Sequence, residues 1–144
     1  PPPGRPRWFG LDHWQGPPRL CNWICRCDDL TAGLEAAPQG GIVSLALARG
    51  SLNWKIGVPP DGSLSLGGLY PSLLEWGPGI EPPGKSLPSA GARLLSLEIE
   101  GPEAVTAQHF LNQQFNDQRV SVRHSPKICF AARFQTPSGE RVLL

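Results

Sequence analysis

The chain has 144 residues, enough for one domain with a buried core. Its formal net charge is +1 at pH 7, and its lysines and arginines are scattered singly. Neither nucleic acid nor a membrane surface is therefore an expected partner. The sequence has no apolar stretch of about 18 residues and no apolar signal segment, so we expect a cytoplasmic protein.

The first predicted elements are a spacer and a strand. Residues 1–18, PPPGRPRWFGLDHWQGPP, are rich in proline and predict an extended spacer. Its aromatic side chains are unfavourable in water, so we expect the spacer to lie against a surface. Residues 19–27 predict a strand that holds three of the four cysteines. Their spacings match neither a zinc site nor a redox pair, and we interpret them as small buried apolar residues in a reducing cytoplasm.

A helix and three strands follow. The helix is predicted at 28–37, where Asp28 or Asp29 caps its N-terminus and leucines recur at helical spacing. The strands are predicted at 42–48, 51–58 and 68–76. The middle strand alternates cleanly, and Pro71 predicts that the last one lies at a sheet edge or at a bulge.

The same order of elements recurs after a Pro/Gly-rich linker at 77–91. The second set is a strand at 92–100, a helix at 102–115, and strands at 120–124, 127–135 and 141–144. The first module therefore spans 19–76 and the second spans 92–144. The predicted fold class is α+β, in which two βαβββ modules form a curved mixed sheet with helices on the convex face and a cup on the other face.

Several quoted runs carry a family resemblance. The run ARGSLNWKIGVPPDGSLSLGGLYPSLLEWG is followed by SLPSAGARLLSLEIEGPEAV and CFAARFQTPSGERVLL. Together they resemble the glyoxalase-like domain of the vicinal-oxygen-chelate superfamily. The matching elements are a tryptophan-bearing strand before VPPDG, the LLEWG strand, the P-x-x-G-x-R-L lead into the next strand, and the closing TPSGE hairpin. PRWFGLD and PRLCNWICRCDDL resemble the middle segment of the same group.

The resemblance implies a further module before these two. Members of the group open with a module whose first strand carries a Leu-Asp-His motif. Residues 11–13 read LDH here, but WQGPP follows, and that run is incompatible with a central strand. We therefore expect the last two modules of a three-module protein, or a relative that lacks the first module.

The resemblance also implies a metal site in the cup. Enzymes of the superfamily hold one divalent metal there with His and Glu ligands, and the metal stabilises an anionic form of the substrate. The candidate ligands in this chain are Glu75, Glu98 and His124. The alternatives are a solvated strand end for Glu75 and a surface or loop position for His124. The expected cofactor is one divalent metal or none.

Aromatic side chains offer a second kind of site. Trp23, Trp54, Tyr70 and Trp76 are candidates for lining an apolar pocket in the cup, and the alternative is that they belong to the core. The sequence contains no Ser-His-Asp set, phosphate-binding loop or dinucleotide fingerprint, so no catalytic residue is assigned.

Three functions are compatible with these observations. The first is a glyoxalase-like protein with a small-molecule site in the cup and metal-dependent lyase, isomerase or dioxygenase chemistry in the complete protein. The second is a metal-free module that binds or sequesters a small molecule, related to drug-resistance proteins. The third is a structural half that completes a dimer. The expected partners are a small-molecule ligand and either a second copy of the chain or the missing N-terminal module.

Overall fold

The structure, a computed structural model, describes Gly4 and residues 6–144. The elements are β1 (Ile24–Arg26), α1 (Leu30–Glu35), β2 (Val43–Arg49), β3 (Leu52–Val58), a 3₁₀ turn (Ser65–Gly68), β4 (Ser72–Trp76), α2 (Pro83–Ser86), β5 (Arg93–Gly101), α3 (Ala104–Gln114), β6 (Val120–His124), β7 (Cys129–Thr136) and β8 (Gly139–Leu143). Apart from the turn and the short helix α2, which lies in the predicted linker, the order is strand–helix–strand–strand–strand twice. The predicted α+β fold class is confirmed.

Each module forms its own four-stranded mixed sheet. The strand order is β1-β4-β3-β2 in the first sheet and β6-β5-β7-β8 in the second sheet. In the first sheet the opening strand β1 runs parallel to the last strand, β4. In the second sheet the opening strand β5 runs parallel to β6, and α3 makes the crossover between them. The modules therefore share their order of elements but differ in which strands are neighbours.

One backbone hydrogen bond links the edges of the two sheets. Leu20, which precedes β1, donates its N–H to the carbonyl of Leu144, which follows β8, at 2.9 Å. Because β1 and β8 are edge strands of their sheets, this bond brings the two edges together.

The two longer helices lie in one layer. Leu30 of α1, Leu111 of α3, Leu73 of β4 and Tyr70 form one core cluster. The Tyr70 hydroxyl donates to Oε1 of Gln114 at 3.0 Å. Gln114 lies at the end of α3, and its Nε2 donates to the carbonyl of Gly33 in α1 at 3.3 Å. Helices α1 and α3 therefore contact each other on the same side of both sheets. Neither of these two helices covers the opposite face of each sheet, which we call the helix-free face.

The helix boundaries follow the sequence signals. Asp29 caps α1, since its Oδ1 accepts the N–H of Ala32 at 3.0 Å, which confirms one of the two predicted caps. The predicted inner side of α3, formed by Ala104, Ala107 and Leu111, is buried. The alanines pack in a second core cluster with apolar residues of the second sheet.

Residues 6–10 of the predicted spacer lie against the first module. Gly10 donates its N–H to the carbonyl of Gly62, after β3, at 2.8 Å. Trp8 lines a small cavity with Val43 and Val58 on the helix-free face. Residues 1–3 and 5 of the 1–18 spacer lie outside the described residues. Within the part of the chain that the structure describes, no helix has the length and apolarity needed to cross a membrane.

Two buried acidic side chains make the stability of the fold depend on pH in the alkaline range. Burial raises the pKa of the Cys25 thiol from 9.0 to about 12 and the pKa of the Tyr70 hydroxyl from 10.0 to about 12. Between about pH 9 and about pH 12 the unfolded chain releases protons that the folded chain keeps.

We therefore expect the free energy of unfolding to be highest below about pH 9 and to fall as the pH rises toward about 12. Urea unfolding between about pH 8 and about pH 11 measures this change. Tyr70→Phe should reduce the slope above about pH 10, since it removes one of the two acids. A urea midpoint that stays constant between about pH 8 and about pH 11 would contradict the raised pKa values of Cys25 and Tyr70.

Candidate functional site

The alternation of side chains along β3 and β4 separates two faces of the first sheet. In the antiparallel pairing of β3 with β4, Trp54 lies opposite Trp76. Gly57 faces α1, since a Cβ there would lie 2.5 Å from Cδ2 of Leu34. Because neighbours in a strand point to opposite faces, Trp54 and its partner Trp76 lie on the helix-free face. Glu75, next to Trp76, faces α1.

The helix-free face of the first sheet is apolar. The rings of Trp54 and Trp76 have centroids 5.7 Å apart and planes inclined by 56°. Leu47 pairs with Trp54 across β2 and β3, and Leu74 lies on the same face of β4. We call these four side chains the tryptophan face. All four are half-buried, so each keeps apolar surface available for contact.

The other two aromatic candidates lie on the helix side. The Trp23 indole donates from Nε1 to the carbonyl of Gly68 at 3.2 Å. Its ring packs edge-on against Phe115 with centroids 5.8 Å apart. Tyr70 is 2% exposed in the core between the helices. The structure thus brings Trp54 and Trp76 together and places Trp23 and Tyr70 in the helix-side core.

Glu75 supports the start of α1. Its Oε2 accepts the backbone N–H of Leu30, the first residue of α1, at 2.8 Å. Its Oε1 lies 3.4 Å from Nζ of Lys55. The first N–H groups of a helix have no partner within the helix, and a carboxylate placed there satisfies one of them. One oxygen of Glu75 therefore holds the start of α1 on the first sheet, and the other oxygen pairs with Lys55 of β3.

Glu98 and His124 lie on opposite faces of the second sheet. The Glu98 side chain is 38% exposed on the helix-free face, with Oε1 4.0 Å from Nε of Arg133. His124 ends β6 opposite Gly101, where a Cβ would lie 2.6 Å from Leu69 in the helix-side core. His124 is itself exposed.

The three predicted metal ligands do not form a common site. Glu75 belongs to the first sheet, whereas Glu98 and His124 belong to the second. Among Gly4 and residues 6–144, no three His, Cys, Asp or Glu side chains converge as a metal centre would require. These residues as placed do not fit a divalent metal, and we derive no catalytic step through one.

The comparisons with known proteins identify the family. Residues 1–115 match a family described as a glyoxalase-like domain. The chain belongs to the glyoxalase-like domain family. The match includes every element from β1 to α3, whereas β6, β7 and β8 of this glyoxalase-like chain lie beyond it. No curated protein and no solved structure matches the chain. The family recognised from the sequence is thus confirmed.

Sequence reasoning missed the role of Glu75 as a helix cap. Asp29 could be found because a cap precedes its helix directly. Glu75 is separated from Leu30 by 45 positions, and only the parallel pairing of β1 with β4 brings the two together. No local signal in the sequence indicates this contact.

We expect Glu75→Ala to lower the free energy of unfolding by about 1–2 kcal/mol, because it leaves the Leu30 N–H without its partner. Urea unfolding measures the change. Glu98→Ala is the matched control: its carboxylate makes only an exposed ion pair, so its effect should stay within about 0.5 kcal/mol. If the two variants lost the same free energy of unfolding, the hydrogen bond from Leu30 to Glu75 would not stabilise α1.

Proposed function

We propose that the chain binds a small apolar or aromatic molecule on the helix-free face of the first sheet. The half-buried Trp54–Trp76 pair on that face carries the proposal. A cup in this fold family is formed by a sheet face without helices, and this is the face on which the aromatic residues meet. Trp indoles provide large apolar contact area together with an N–H donor for a polar group of the ligand.

A charged residue borders the tryptophan face. Arg26 in β1 is register-paired with Leu74, so its side chain lies on the same face. Its nearest carboxylate is Asp28, with Nη2 and Oδ1 3.9 Å apart and both side chains well exposed. A pair this exposed is weak, so Arg26 is available to the polar end of a ligand.

Metal-dependent lyase, isomerase or dioxygenase chemistry is the other candidate. The resemblance implies it for a complete protein of the superfamily. It would need ligands that the described residues do not gather, since Glu75 is engaged with Leu30 and Lys55. Binding through apolar contacts is therefore the function that this chain supports best, and the glyoxalase-like family is compatible with either.

The tryptophan pair makes the binding proposal testable with the neutral naphthalene fluorophore Prodan. We expect Trp54→Leu to raise the Kd for Prodan by roughly 2- to 10-fold, because an aromatic contact contributes about 0.5–1.5 kcal/mol beyond area burial. Fluorescence titration measures it. Tyr70→Phe is the matched control, since Tyr70 lies on the helix side and its change should leave the Kd as it was. An unaltered Kd in Trp54→Leu would contradict the proposal.

Elemental analysis separates the two candidates. Protein purified without chelator should contain substoichiometric divalent metal, because the predicted ligands lie apart and Glu75 is already hydrogen-bonded. A full equivalent of metal that is lost in Glu75→Gln would overturn this expectation and favour the metal-dependent candidate.

A further inference from the structure

A cavity of about 440 Å³ lies where the two sheets meet, away from the tryptophan face. Residues 19–21 form one wall, next to the hydrogen bond from Leu20 to Leu144. The other walls come from the turn after β3 and from the start of β7. Both modules therefore contribute to this junction cavity, and its volume lies in the range of small-molecule sites.

The lining of the junction cavity is mainly apolar. It includes Leu20, Leu64, Ile128, Phe130 and Leu144. Ile128 is 42% exposed and Leu144 is 74% exposed. A ligand with an apolar body would remove part of this surface from water, which is favourable in proportion to the area covered.

One wall has an unusual backbone conformation. Leu66, Gly67 and Gly68 have φ angles of 49°, 66° and 102°. A leucine rarely adopts this left-handed conformation, and here the packing of its side chain against both core clusters holds it. A Cβ at Gly68 would lie 2.6 Å from the carbonyl oxygen of Cys21, so the turn lies directly against residues 19–21. Strained residues of this kind concentrate at ligand sites.

A cation also lines the cavity. The guanidinium of Arg19 lies over the ring of Trp14, with Cζ 3.9 Å from the ring centroid. No carboxylate of the described residues forms a salt bridge with Arg19. Stacking orients the guanidinium plane and leaves the N–H groups at its edge able to donate to an anion.

We propose that the junction cavity binds a small apolar carboxylate. The apolar body lies against Ile128 and Phe130, and the carboxylate accepts hydrogen bonds from Arg19. The thiols of Cys21 and Cys129 line the same cavity, so ligand contact changes their accessibility. This site is independent of the function proposed for the tryptophan face.

Titration calorimetry of the 144-residue chain tests the proposal, with decanoate below its critical micelle concentration and decanol below its solubility limit in water. Decanoate should bind saturably. Arg19→Gln should weaken decanoate binding about tenfold, because a charge-assisted hydrogen bond to the carboxylate is lost. The affinity for decanol should stay unchanged, since decanol carries no charge for Arg19 to recognise.

Two further variants locate the site. Ile128→Trp should abolish the binding of both probes by filling the cavity. Val105→Trp is the matched control, since Val105 is 79% exposed on α3 and does not line the cavity. Trp54→Leu should leave decanoate binding intact, so failure of this proposal and failure of the tryptophan-face proposal are distinguishable.

Thiol alkylation gives a second readout. Decanoate should slow the reaction of iodoacetamide with the exposed Cys129 and leave Cys27, which lines a different cavity, unaffected. Absence of saturable decanoate binding, or binding that survives Ile128→Trp, would overturn the proposal. If Ile128→Trp abolished decanoate binding but Arg19→Gln left it unchanged, the proposal that the site recognises a carboxylate through Arg19 would be overturned.

Discussion

The contact between α1 and α3 around Tyr70 determines which faces of both sheets remain open. A tyrosine hydroxyl that is buried without a partner is strongly unfavourable. Here Oε1 of Gln114 accepts a hydrogen bond from the Tyr70 hydroxyl, and Nε2 of Gln114 donates one to the carbonyl of Gly33. One chain of hydrogen bonds therefore runs from the core of the first module to both helices. Because the helices share this contact, they cover the two sheets from the same side, and both helix-free faces point away from it.

The two helix-free faces differ in polarity, and this difference decides where a ligand is proposed. The second sheet shows the alternation of a solvated face, with Glu98, Arg123 and Arg133 on the side opposite Leu97 and its apolar neighbours. In the first sheet the same side carries the tryptophan face instead. Half-buried apolar surface on a sheet is informative, whereas charged side chains on a sheet surface need no ligand to account for them.

Periodicity in the sequence predicted the fold well, because the period of a strand or a helix follows from backbone geometry. The alternation at 92–100 located β5, and the apolar side of 102–115 located the buried face of α3. Pro71 misled the prediction for β4, which is a central strand. The proline lies one residue before Ser72, where the strand begins, so the missing N–H interrupts no ladder. The different strand order of the second module was not predictable, since alternation does not specify which strands are neighbours.

The same periodicity explains why the candidate site was only partly predictable. The sequence made Glu75 a candidate ligand and Trp76 a candidate pocket residue of one cup, but adjacent residues of a regular strand point to opposite faces. At most one of them can face the cup, and the choice depends on where α1 packs. Gly57 lets Leu34 of α1 approach β3 closely, which puts the helix on the Glu75 side. That placement gives the carboxylate a helix end to cap and leaves the indole on the open side.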